Sequence, residues 1–126
     1  MKANEFVKKF GCEKAKDVIK WSPSTATHFN QNSLGGHYAK EVLFGGEFQW
    51  ARFNTIVGAW YYDFNDDEYN QFPILDLKRL VDSYELIVKD FESVEIAEYE
   101  HMISGCYSDP YWIRIKQAIA DVESCQ

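Results

Sequence analysis

The chain has 126 residues, about one domain's worth, and its 46% hydrophobic and 17% aromatic content can fill a dense core. Its apolar runs, such as Leu86-Ile87-Val88, fall far short of the roughly 20 residues that span a bilayer, and the charged start Met1–Glu5 leads into no apolar export block, so a soluble, cytoplasmic chain without membrane association is expected. The formal charge of −7 is uneven: residues 1–20 hold six lysines against three acids, whereas residues 63–100 hold twelve acids against three bases, a field of the wrong sign for gripping phosphates.

In chain order, residues 1–21 read as two short helices broken at Gly11, with Phe6, Val7 and Phe10 on the apolar face of the first and Ala15, Val18, Ile19 and Trp21 on that of the second. Ser22-Pro23 stops the pattern, because the residue before a proline is pushed out of the helical region. Residues 22–36 are polar, small and aperiodic, which predicts a long loop of the kind that often carries function. From 37 to 64 the period becomes that of strands. Val42-Leu43-Phe44 and the run from Glu47 to Phe53 flank Gly45-Gly46 as a tight hairpin, and Ile56–Phe64 supplies a third strand, giving a three-stranded antiparallel meander. One face of it is expected to meet the helices while the other keeps some aromatic surface.

Three helices are expected over 74–124. The strongest carries Leu77, Leu80, Val81, Tyr84, Ile87, Val88 and Phe91 as a sustained core stripe, with Asp76 as N-cap and Leu75 and Leu80 as a hydrophobic staple. The next, about 93–103, turns Val94, Ala97 and Met102 inward and Glu92, Glu95, Glu98 and Glu100 outward, and ends at Gly105. The last starts at Ser108-Asp109-Pro110 and lines one face with Trp112, Ile115, Ile119 and Val122. The fold class is α+β: a single domain over 1–126, its three-stranded sheet (about 37–64) packed against N-terminal and C-terminal helices.

Motifs for covalent chemistry are not organised along this chain. Cys12, Cys106 and Cys125 are odd in number and widely spaced, which reads as free thiols, and no Cys-x-x-Cys pair marks a metal site. Asp63, Asn65 and Asp67 open like a calcium loop, yet Glu68 stands where that loop needs glycine and Ile74 where it needs glutamate. His28, His37 and His101 could each serve as a base, but no local signature joins them to Cys12 or Cys106 as a nucleophile. No catalytic residue, metal or cofactor is assigned. A small enzyme or ligand binder would need a pocket joining His28 or His37 to a carboxylate.

Two features rise above background. Acids at Asp63, Asp66, Asp67, Glu68, Asp82, Glu85, Asp90, Glu92, Glu95, Glu98 and Glu100 can form a negative surface that attracts a basic groove on another protein. Aromatics including Trp50, Trp60 and Tyr62 exceed what one side of a three-stranded sheet can bury, and Trp and Tyr are favoured interface anchors. The candidate partner-binding set is therefore Trp50, Trp60, Tyr62, Asp66, Asp67, Glu68, Glu92, Glu95 and Glu98.

The segments Phe6–Lys16 (FVKKFGCEKAK), Asp76–Leu86 (DLKRLVDSYEL) and Ile115–Ser124 (IKQAIADVES) resemble the small accessory proteins of lambda-like temperate phages and enterobacterial prophages, while the aromatic middle, residues 37–72, has no such counterpart. That resemblance implies a non-enzymatic product which binds and inhibits or redirects a host protein, nucleic-acid-binding defence complexes and anti-CRISPR-like inhibition included. The alternative is a small nucleic-acid-binding regulator using the basic first segment, Lys8, Lys9, Lys14, Lys16 and Lys20.

Overall fold

A computed structural model describes residues 1–32, 35–62 and 68–126. The chain is α+β, with helices α1 (Ala3–Phe10) and α2 (Cys12–Lys20), strands β1 (His28–Asn32), β2 (Gly35–Phe44), β3 (Glu47–Asn54), β4 (Ala59–Tyr62) and β5 (Gln71–Pro73), then α3 (Ile74–Phe91), α4 (Val94–Ser104) and α5 (Pro110–Ser124). The sheet is antiparallel in the order β4-β3-β2-β1-β5.

Five strands replace the expected three, and the reason lies in the segment read as a loop. β1 has the sequence HFNQN, with one apolar residue and no alternation, so its strand character comes from its neighbours rather than from itself. It pairs with β2 on one side and with β5 on the other, setting Phe29 opposite both Tyr38 and Phe72. Gly36 permits this arrangement: a methyl group there would overlap the Phe29 ring, which lies across β2. The expected hairpin forms as read, with Phe44 opposite Glu47 and both Gly45 and Gly46 at positive φ.

Register decides which side chains share a face. Phe29, Tyr38, Phe53 and Phe72 lie on the side that meets the helices, where Phe6 sits fully buried with its ring 5.8 Å from Phe29 and 5.2 Å from Phe72. Gly11, at φ 89°, lets the chain turn between α1 and α2 while its amide closes on the Val7 carbonyl at 2.8 Å. The Tyr38 hydroxyl donates to the Val18 carbonyl at 2.5 Å, tying sheet to α2, and burial pushes this phenol up to about 12. A raised phenol favours the neutral form in the folded state, so this contribution is complete below the unfolded value of about 10 and is lost as pH climbs towards 12. Tyr38→Phe is expected to cost about 1 kcal/mol at neutral pH and to flatten the alkaline decline in stability, as read by urea unfolding across that range.

α3 begins three residues earlier than an Asp76 cap would require. β5 runs straight into it, Pro73 takes the cap position, and the Ile74 amide is held by the Thr27 carbonyl at 3.0 Å. Asp76 lies in the first turn without capping, and Leu75 is 76% exposed, so the expected staple does not form. The stripe survives with corrections: Leu77, Leu80, Val81, Ile87 and Phe91 are buried, whereas Tyr84 and Val88 stay half exposed and Ser83 is buried instead. Its first half closes a cluster with α1, α2 and the sheet; its second half closes another with Val94, Ala97, Ile115, Ala118 and Ile119.

Between α3 and α5 lies a buried polar group of side chains. Asp121 accepts from Ser83 Oγ at 2.6 Å and Gln117 Nε2 at 2.9 Å, and Arg79 Nε stands 3.4 Å away. Arg114 Nη2 donates to Ser83 Oγ at 3.2 Å, extending the network.

Candidate partner-binding surfaces

The structure separates the residues that sequence reasoning grouped. Trp50 shares a sheet face with His28, Ala39, Arg52 and Tyr61, whereas Trp60 and Tyr62 lie on the opposite face with Lys40, Ala51 and Phe53. Trp50 is half-buried with its ring 4.8 Å from His28 in an edge-to-face contact. Trp60 is half-buried too, under the Lys40 ammonium at 4.4 Å from its centroid and beside Phe53 at 5.2 Å. Tyr62 is 58% exposed and stacks on Phe44. Asp66 and Asp67 lie outside the described residues, and Glu68 opens a short 3-10 turn, Glu68–Asn70. The calcium-loop reading falls largely on those undescribed positions.

On β2, β3 and β4, Leu43, Phe44, Phe48 and Tyr61 are half exposed or more, and the connection after β3 holds Ile56 at 92% exposure. That connection is pinned by Asn54, whose Oδ1 accepts from the amides of Ile56 at 2.9 Å and Val57 at 3.3 Å. Ile56 and Val57 therefore stand on a turn fixed by the Asn54 side chain.

A second surface was missed in part by periodicity. α4 is firmly bounded, with Ser93 Oγ accepting from the Ile96 amide at 3.3 Å and Gly105 in the left-handed conformation closing its end. Val94 and Ala97 pack inward as expected, but Met102 points out and is 60% exposed. Ile96, Tyr99 and Ile103, at i, i+3 and i+7, form an outward ridge beside it. Helical spacing puts Glu98 and Glu100 on the two margins of this ridge and Glu95 next to Tyr99. Glu92 is exposed just past the end of α3, at φ 69°. Tyr107 broadens the patch, donating its hydroxyl to the Met102 carbonyl at 2.8 Å while its ring packs 5.1 Å from His101. A helix that is apolar on both its inner and outer sides is ordinarily covered on both.

The basic segment is less available than its sequence suggests. Lys16 Nζ lies 3.4 Å from both Glu13 and Glu85, and the Glu13 hydrogen bond holds its ammonium above the usual lysine range. Lys9 and Lys20 lie over the rings of Phe10 and Trp21. His28 and His37 share one sheet face, and His28 Nδ1 meets Thr27 Oγ1 at 2.8 Å while burial pulls its pKa down. The cleft of about 500 Å³ beside His28 is lined by Ser22, Thr27, Leu75, Lys78 and neighbours, with no carboxylate in its wall. Among the described residues no group of three or more His, Cys, Asp or Glu is placed to hold a metal, and no helix is long and apolar enough to cross a membrane.

Comparisons with protein-family models, curated proteins and solved structures return no match to this chain.

Proposed function

We propose that this chain is a non-enzymatic binding protein that docks a basic surface of another protein on the outer side of α4, acting as a phage or prophage accessory factor that inhibits or redirects a host protein in the bacterial cytoplasm, defence complexes of the kind met by anti-CRISPR proteins included. The observation that carries the binding reading is the ridge of Ile96, Tyr99, Met102 and Ile103, exposed between 44% and 61% inside a frame of Glu95, Glu98 and Glu100. Spare apolar surface and clustered negative charge coincide there. The apolar groups supply area to bury on contact, and the acids select and steer a partner of opposite sign. The phage setting rests on the likeness of the helical segments alone.

Affinity capture from a bacterial lysate tests it. The wild-type chain should retain a basic protein at moderate salt, and a Tyr99→Ala, Ile103→Ala double variant should lose about tenfold in affinity for that protein. Glu95→Lys with Glu98→Lys should chiefly slow association and abolish its salt dependence. Both sets of changes are at exposed positions, so the fold is retained. Equal capture by all three proteins, or no retained protein at all, would remove the proposal.

A further inference from the structure

Cys12 and Cys125 are far apart in sequence but not in the fold. Cys12 is the first residue of α2, and Cys125 follows the last turn of α5. Both are half-buried, and both pack against the same core cluster of α1, α2, α3 and the sheet. Both also line one mainly apolar pocket of about 260 Å³, whose wall includes Val7, Leu80, Val81 and Val122. Cys106, by contrast, is exposed beyond α4.

We propose that Cys12 and Cys125 form a redox-switchable clasp, closed by a hydroperoxide into an intramolecular disulfide that ties α2 to α5 across α3. The inference goes beyond the binding reading and does not depend on it. The thiolate of one cysteine attacks a peroxide oxygen, breaking the O–O bond to leave a sulfenic acid and release hydroxide. The second thiol then displaces water as the S–S bond forms. The two sulfurs together give up two electrons, and with hydrogen peroxide as oxidant the products are the disulfide and two waters.

Cys12 suits the attacking role, since a helix N-terminus and the Lys16 ammonium one turn along both favour its thiolate. Burial works the other way and pushes both thiols up; Glu13 on its own helix, Glu85 on α3 and then Cys125 raise Cys12 further, while on Cys125 the Ser124 hydroxyl lowers the pKa and Asp121 raises it. The clasp is therefore slow to close at neutral pH and quickens as pH rises. Cys125 lies beyond the regular hydrogen bonding of α5, held by its amide to Val122 at 3.1 Å, and can shift to meet its partner at modest cost.

The test uses the full chain treated with hydrogen peroxide at mildly alkaline pH, followed by alkylation and peptide mapping without reductant. The expected product is a monomer lighter by two hydrogens, with the Cys12 and Cys125 peptides linked, Cys106 still alkylated, and an unfolding midpoint raised by several degrees until a dithiol restores the original value. Cys12→Ser and Cys125→Ser should each abolish the linkage and that rise. A reaction that yields only dimers through Cys106, or that leaves Cys12 and Cys125 unlinked while either is alkylated or over-oxidised, overturns the proposal; mapping of the wild-type chain decides this even if a serine variant folds poorly.

Discussion

Phe6→Ala will destabilise the fold by about 3–5 kcal/mol, read as a fall in the urea midpoint with little change in slope. Phe6 has no exposed surface, and its ring meets Phe10 at 4.9 Å as well as Phe29 and Phe72. Those partners come from one helix turn and two different strands, so they cannot collapse together into the space a lost ring leaves. Typical domains hold only about 5–15 kcal/mol in total, which makes this single substitution a large fraction of stability. A cost below about 1 kcal/mol would mean that α1 does not close the sheet in the way described.

Asp121→Ala should cost about 3 kcal/mol, for a different reason. The carboxylate is only 4% exposed and serves donors from Ser83 and Gln117, which would be left without an acceptor. Arg79 contributes less, because its side chain is 53% exposed and its charge is screened by water. Asp121→Asn keeps an acceptor oxygen and should therefore lose less than Asp121→Ala. Combining Asp121→Ala with Ser83→Ala should cost clearly less than the two single losses added, because the hydroxyl and carboxylate no longer strand one another. Strict additivity in that cycle would show that the two groups do not interact.

The helices and the hairpin were legible because each carried punctuation with a mechanism. Gly11 between two apolar faces, Gly45-Gly46 between strands, Gly105 after α4 and Asp109-Pro110 before α5 all sit where read, the Asp109 carboxylate accepting the Tyr111 amide at 2.9 Å. β1 was not legible. Its residues show no alternation, and even Asn30 is fully buried there, held between β2 and β5 by pairings that local sequence does not report. β5 is three residues long and too short to show a period.

The candidate surface was half legible for a related reason. The acids of α4 read correctly as solvent-facing, but an apolar period on a helix does not say which of two apolar sides is covered, and Met102 was placed on the wrong one. The surplus of aromatics was real in composition, yet Trp50 and Trp60 went to opposite sides of the sheet, because they stand on adjacent strands at positions of opposite parity. Pairing register, which only tertiary structure supplies, decided that.

α3 contributes Leu77, Leu80 and Val81 to one cluster and Ile87 and Phe91 to the other along one unbroken helix of 18 residues. Two cores strung on separate elements could melt one after the other. Here, opening either one strips half of the shared rod of its cover and weakens the other half, which favours a single sharp transition for both. By the same rod, a substitution that loosens the α4–α5 cluster should lower the stability of the sheet-side cluster with it.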